Sequence, residues 1–388
     1  MIIIHLCLCS IINENYSYQD NLLAKYHQKI GHKVIIITST YSKYDKNGGI
    51  IEVPPGIYYW KSGVKVIRVK PRLNQFLNKH LFLFKDVEQI ILDESPNYIF
   101  THCLLSINYL CLLDIHRKLP TVRFAFDNHT DSINSNHNVL SKYYKKWVLK
   151  PLLCKRLQKL SDNFYGVTPS RCEFLKQEFG IVEKKVKLLM MGADDESLQF
   201  SKREILRECV RKEYSIHQND FLIVTGGKID RKKNIHKLLS AINEMKLPHV
   251  KVLFFGSISD DLKDIINSLI SPTIIYLGWI ASEDVYKYFY AADLIAFPGL
   301  HSVLWEQALA TQTPCVFSRL NGFEHVNYNS NCMFFEKNDV SEYQIVIRKL
   351  VQDKRYYDIL KKNSSSSQSS QFLYSNIAKR VLADAGLN

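Results

Sequence analysis

Short, almost purely apolar runs recur along the chain, and stretches with helical spacing separate them. Val34-Ile35-Ile36-Ile37 is one such run. A run without polar alternation suits a parallel strand covered on both faces. In the first half, strands are expected at 2–9, 33–38, 64–69, 97–101, 121–126 and 163–167. Between the first two, apolar positions 22, 23, 26 and 30 share one helical face, and Gly31 ends it. Strand, helix and strand in that order make a βαβ unit. The loop from Ser10 to Tyr18 has no glycine, so it is not the Gly-x-Gly-x-x-Gly turn of a dinucleotide site. The second half repeats the pattern, with strands at 222–226, 251–255, 274–277, 293–297, 314–318 and 332–335. Helices are expected between them at 234–245, 259–270, 282–290, 302–310 and 341–353. The expectation is an α/β chain of two doubly wound, Rossmann-like domains of about equal size, facing across a cleft. The boundary is placed near 195, giving domains 1–195 and 196–365. A serine-rich linker at Ser364 to Ser370 then leads into 366–388, whose final amphipathic helix is expected to pack back on the first domain.

Composition narrows the partners. The 388 residues suffice for two or three domains, and 46% hydrophobic with 23% charged content is a soluble globular balance. The net charge of +13 and pI near 9.1 favour acidic partners. Part of that charge lies in 142–159, where Lys142, Lys145, Lys146, Lys150, Lys155, Arg156 and Lys159 occur without an acid. Apolar residues are interleaved, so the stretch reads as a basic amphipathic helix bent at Pro151. It is either a helix packed on the sheet or a surface that docks on anionic lipid. Nucleic acid is not an expected partner, since no zinc spacing or aromatic RNA-binding signature is present. The nine cysteines form no Cys-x-x-Cys pair and suggest a reducing cytosol. The apolar start lacks a basic region and reads as a buried strand rather than a signal peptide. No run is long enough for a membrane span. A cytoplasmic protein, peripheral at the inner face of the membrane, is the expected location.

Chemistry concentrates at strand ends. Phe297-Pro298-Gly299-Leu300-His301-Ser302-Val303-Leu304-Trp305-Glu306 reads as strand, turn and helix. A helix opening after a strand offers backbone N–H groups to an anion, with Glu306 one to two turns inside. Gly226-Gly227-Lys228-Ile229-Asp230-Arg231-Lys232-Lys233-Asn234 follows an earlier strand of the same half. Glycines allow close approach, and ammonium groups neutralise a diphosphate. Phe255-Gly256-Ser257 and Leu277-Gly278-Trp279-Ile280 add two more strand-end glycines. In the first half, His129 lies in Phe126-Asp127-Asn128-His129-Thr130-Asp131, a polar loop at a strand's carboxyl end.

Taken in order, Gly-Lys-Ile-x-x-x-Lys-Asn, Phe-Phe-Gly-Ser, Leu-Gly-Trp, Ala-Ala-Asp-Leu-Ile-Ala-Phe-Pro and a following helical Glu resemble the carboxyl domain of GT-B glycosyltransferases. More narrowly they resemble glycosyltransferase family 4 (glycosyl group 1), over most of 222–326. Gly31-His32-Lys33-Val34 is similar to that family's Gly-His-x-Val. The resemblance implies a GT-B fold and a retaining glycosyltransferase. A sugar would pass from a nucleotide-sugar donor, a UDP-sugar by expectation, to a glycan or lipid-linked acceptor in surface polysaccharide synthesis. Lys228 and Lys233 would hold the donor diphosphate, Glu306 the nucleotide ribose, and His129 would lie near the sugar hydroxyls. Gly227, Gly256, Ile280, Gly299, His301, Ser302 and Val303 would line the donor site. Tyr18, Gln19 and Asp131 would face the acceptor. The family's first paired glutamate would fall at position 298, which is Pro298, so His301 or Ser302 would take over part of that contact. No cofactor and no metal are expected, the two lysines standing in for a divalent cation. A nucleotide-sugar epimerase, or a relative that binds nucleotide or glycan without catalysis, are the alternatives.

Overall fold

The computed structural model describes every residue except 14–16, 45–49, 75–77, 79–80, 131–144 and 388. The chain divides into two units, Met1–Met190 with Tyr374–Asn388, and Met191–Leu373. The expected boundaries at 195 and 365 therefore fall at 190 and 373.

The first unit is built on a sheet of eight strands. These are β1 (Ile2–Cys7), β2 (Lys33–Ser39), β5 (Gly56–Tyr59), β6 (Lys65–Val69), β7 (Tyr98–Thr101), β8 (Arg123–Asn128), β9 (Phe164–Gly166) and β10 (Val186–Leu188). Their order is β10-β9-β8-β7-β1-β2-β6-β5, and all neighbours run parallel except β5 with β6. Strand alternation splits the run 34–37: Ile35 and Ile37 join one buried cluster, Val34 and Ile36 the other. This is the two-faced burial that an unbroken apolar run requires. A hairpin of β3 (Tyr41–Tyr44) and β4 (Ile50–Glu52) pairs apart from this sheet. The hairpin and β5 gave no strand signal, because β5 is an exposed edge strand with no apolar alternation to detect. The helix Tyr374–Asp384 buries Tyr374, Ile377, Ala378, Val381 and Leu382 in the same cluster as Leu22, Leu23 and Tyr26.

The basic stretch is partly described. Lys145–Cys154 is a π-helix containing Pro151, and Leu149, Leu153, Cys154 and Leu157 are buried in the core of the first unit. Part of its apolar side is thus packed into the core, while Leu152 stays 46% exposed. Lys155, Arg156 and Lys159 remain exposed.

The second unit has six parallel strands: β11 (Phe221–Gly226), β12 (Val250–Phe255), β13 (Ile274–Tyr276), β14 (Leu294–Phe297), β15 (Cys315–Ser318) and β16 (Cys332–Phe335). Their order is β13-β12-β11-β14-β15-β16. Helices Ile235–Met245, Lys263–Leu269, Val285–Ala291, Leu304–Ala310 and Val340–Gln352 lie between or after them in sequence. The serine-rich segment is not a linker. It ends the helix Lys354–Ser364 and forms a 3₁₀ turn at Ser367–Phe372, with Ser364 and Ser369 buried. Gln312 Nε2 donates to Ser369 Oγ at 3.0 Å, so low complexity here conceals specific hydrogen bonds. Among the described residues, no helix is long and apolar enough to cross a membrane.

Burial of the last helix carries a stability consequence. Leu382→Ala is expected to cost about 2–5 kcal/mol in urea unfolding, as for other buried leucines. Arg380→Ala, on the exposed side, should stay within about 0.5 kcal/mol. Equal costs would contradict this packing.

Candidate active site

In the second unit the two motifs separated by some 65 positions are stitched together. Asp230 Oδ1 accepts from the backbone N–H groups of Lys232 and Lys233 at 3.0 and 3.1 Å, which shapes the turn after β11. Leu300 N then donates to Lys232 O at 3.1 Å, and Asn234 Nδ2 to Pro298 O at 3.2 Å. The Lys233 ammonium donates to the carbonyls of Leu300 and His301, the second at 3.0 Å. Burial lowers the Lys233 pKa to about 8, against the pull of Asp230. Lys233 therefore works first as the clamp between the loops. Lys228 is the mobile charge: its side chain is 70% exposed, with Asp230 at 3.9 Å.

Two of the glycines expected to line the donor site admit a neighbouring backbone. A Cβ on Gly256 would lie 1.7 Å from Gly227 O, and one on Gly299 would lie 2.3 Å from the Lys233 carbonyl carbon. Gly227 itself has φ of +103°. Gly256 N donates to Gly278 O at 2.8 Å, which draws in the loop bearing Ile280 and an exposed Trp279. Gly227, Gly256, Gly299 and the Ile280 loop are thus tied to the same end of this sheet.

The helix after β14 begins at Leu304, two residues later than expected, and runs only to Ala310. Ser302 and Val303 precede it as partly buried turn residues. Glu306 stands in its first turn rather than deeper, and is completely buried. Its Oε1 receives hydrogen bonds from His301 Nε2 at 2.8 Å and His325 Nε2 at 2.9 Å. Burial alone would raise the Glu306 carboxyl, but the facing His301 and His325 hold it down at about 2. Among the described residues, Oε2 has no partner, and neither does His325 Nδ1. His301 thus supports Glu306, and the Pro298 carbonyl is taken by Asn234 and Tyr343. His325 was not foreseen; nothing in its spacing from Glu306 marks it.

The first unit assembles a second group at the carboxyl end of β1, β7 and β8. Asp127 Oδ2 faces His102 Nδ1 at 2.8 Å and His129 Nε2 at 3.3 Å, and accepts from Gln19 Nε2 at 3.2 Å. Its Oδ1 accepts from Cys103 N at 2.9 Å. Asp20 Oδ1 lies 3.2 Å from the same His102 nitrogen. Behind His102, His5 and His27 follow in line: His102 Nε2 to His5 Nδ1 is 3.0 Å, His5 Nε2 to His27 Nδ1 is 3.0 Å, and His27 Nε2 reaches Ala378 O at 3.2 Å. His5, His27, His102 and Asp127 are at most 1% exposed. His129 is the partly open member, at 31% of its side chain. Of the expected acceptor residues, Gln19 is buried in this network, Tyr18 is an exposed residue at the helix start, and Asp131 lies outside the described residues. In this group, and in the one around Glu306, the potential ligand atoms lie within 4.8 Å of one another, close enough for a cation. In both, however, the nitrogens already face carboxylate oxygens at hydrogen-bond distance.

Burial would lower the His102 pKa, but Asp127 and Asp20 raise it to about 10. Burial lowers His27 to about 3 from the usual 6.5. Below 6.5 the unfolded chain binds a proton that folded His27 refuses, so stability falls as pH drops toward 3. Above 6.5 folded His102 keeps a proton that the unfolded chain gives up, so stability falls as pH rises toward 10. The expected outcome is a stability maximum near pH 6.5 in denaturant titrations across pH 4–10, with a flattened alkaline limb in His102→Gln. An unchanged alkaline limb would remove His102 as its source.

Comparison with known proteins bears on the fold. Residues 207–367 match the family described as "Glycosyl transferases group 1". Mannosylfructose-phosphate synthase of Agrobacterium fabrum is 22% identical over 239 residues, 57% of this chain and 52% of that protein. The chain thus spans about half the length of that curated relative. A glycosyltransferase from Rickettsia africae superposes with a TM-score of 0.70 at 15% identity, covering 98% of this chain and 97% of that one. Anabaena HepE in complex with UDP-glucose gives 0.67 at 13% identity, covering 99% and 98%. Residues 207–367 are therefore similar to a glycosyl transferases group 1 domain, and the chain has the fold of the GT-B glycosyltransferases.

Proposed function

We propose that the protein is a retaining, metal-independent glycosyltransferase that uses a nucleotide-sugar donor, a UDP-sugar, and a glycan or lipid-linked acceptor of surface polysaccharide synthesis. The observation that carries the donor site is Glu306: a fully buried, ionised carboxylate with one oxygen fixed by two histidines and the other unpartnered. Leaving such an oxygen unpaired costs about 1–3 kcal/mol. A ribose hydroxyl supplied by the ligand satisfies it. The neighbouring structure solved with UDP-glucose supports the choice of nucleotide.

In the reaction, the acceptor oxygen bonds to the anomeric carbon on the face from which the diphosphate departs. The C–O bond to the diphosphate breaks, and a departing phosphate oxygen takes the acceptor proton. The protein's contribution is electrostatic: fixed donors stabilise charge as it builds on the leaving group. Lys233 has three ammonium hydrogens and commits two to carbonyls, so one is left for a phosphate oxygen. Lys228 reaches in from solvent. Charge that a divalent cation would neutralise is met by these two lysines. The exposed Lys155, Arg156 and Lys159 offer an anionic membrane surface a purely electrostatic contact.

UDP titration by calorimetry tests the site. Glu306→Gln is expected to weaken UDP binding about 10- to 100-fold, the equivalent of a lost charged hydrogen bond. Binding to the native protein should weaken as pH rises through about 8, where Lys233 loses its charge. Flat pH dependence together with an unaffected Glu306→Gln would refute the donor site. Incubation with a panel of UDP-sugars and EDTA separates the activities. Transfer in EDTA supports the proposal, free isomerised sugar would indicate an epimerase, and binding without turnover a non-catalytic relative.

A further inference from the structure

The line of imidazoles in the first unit can be counted for protons. It contains four contacts: Ala378 O to His27, His27 to His5, His5 to His102, and His102 to the carboxylates of Asp127 and Asp20. Each hydrogen bond needs one proton. Both ends are acceptors only, a carbonyl at one and carboxylates at the other. Three neutral imidazoles carry three protons. A complete line therefore holds a fourth, and with it one positive charge.

We propose that this obligatory proton resides on His102, and that His102 is thereby a positioning residue for His129: it keeps Asp127 ionised, and ionised Asp127 holds His129 through Nε2. With Nε2 turned to Asp127, the His129 ring presents Nδ1 to a ligand hydroxyl, the chemistry of a sugar. This rests on the glycosyltransferase reading for the identity of the ligand, though not for the proton arrangement.

The surroundings place the charge. His102 is the ring within reach of both carboxylates, at 2.8 and 3.2 Å. His5 meets only other rings, and burial, then His27 and His102, lower it. His27 is likewise lowered by burial, with His32 and His102 adding to it. Asp127 and Asp20 are both held low against burial, chiefly by His102, with His129 assisting. The thiols of Cys7 and Cys103 are pushed up by burial and stay neutral, so they add no charge. Gln19 Nε2 and Cys103 N complete the donors around Asp127. The line draws on several elements: His5 from β1, Asp127 from β8, His27 from the first helix, and Ala378 from the helix Tyr374–Asp384. The C-terminal helix thus fixes, through one carbonyl, the direction of every hydrogen bond up to the carboxylate pair.

Long-range proton–nitrogen NMR of the full chain labelled at histidine tests this without any substrate. The expected result is one imidazole protonated at both nitrogens through pH 9, its signal lost in His102→Gln. The signal of His129, assigned by its loss in His129→Ala, should show the Nε2–H tautomer in the native protein. In His102→Gln that preference should be lost as the carboxylate pair takes up a proton. Asp20→Asn, which keeps His102, should shift the loss of its second proton to lower pH and covers the case in which His102→Gln fails to fold. A singly protonated His102 at pH 7, or a His129 tautomer indifferent to His102→Gln, would overturn the proposal. So would imidazole signals that move on adding a chelator, which would place a metal ion there instead. The UDP titration reads the other unit's residues, so the two ideas can fail separately.

Discussion

Parallel strand pairing is the constraint on which both sites depend. In a parallel sheet every strand ends at the same edge, so the loops that follow different strands are gathered there whatever their separation in sequence. In the second unit this brings the turn after β11 against the turn after β14, and Gly299 lets the backbones meet. In the first unit the register pairs His5 with Phe100 and Thr101 with Phe126, so His102 and Asp127 come next to each other one step further on. In the first unit chemistry is concentrated without any local motif to announce it.

Both sites also solve one electrostatic problem in opposite ways. A buried charge is expensive unless it is paired and hydrogen-bonded. Around Glu306 one carboxylate is held by two imidazole N–H groups, and its other oxygen is buried without a partner among the described residues. Around His102 one ring is held between two carboxylates, and no ring nitrogen of the line is open to solvent until His129. The first arrangement suits accepting a ligand's hydroxyl proton directly. The second is a support whose effect reaches the surface only through Asp127.

Much of the fold was legible because burial on both sheet faces leaves a period that sequence preserves. The strands at 33–39, 221–226, 250–255 and 332–335 fall within a residue of their expected bounds. Edge elements such as Gly56–Tyr59 escaped, since an exposed strand needs no apolar pattern. Ser364–Ser370 misled for a related reason: serines that satisfy one another's turns and one glutamine look like a linker when only composition is read. At the donor site Lys228, Lys233, Gly299 and Glu306 could be named, because strand-end glycines and cations in order are a local signal. Their duties could not: Lys233 spends its charge on carbonyls, and His301 on Glu306.

The sequence by itself determined the largely parallel sheets, the strand ends that carry polar loops, and the resemblance of the second half to glycosyl group 1 proteins. These follow from short-range patterns, in which a residue's neighbours along the chain specify its environment. Only the tertiary structure decided that His5, His27, His102, Asp20 and Asp127 form one hydrogen-bonded line, and that His325 faces Glu306. Their protonation states exist only once burial strips away water and each ring is left facing only its neighbours in the line, and no spacing along the chain encodes that.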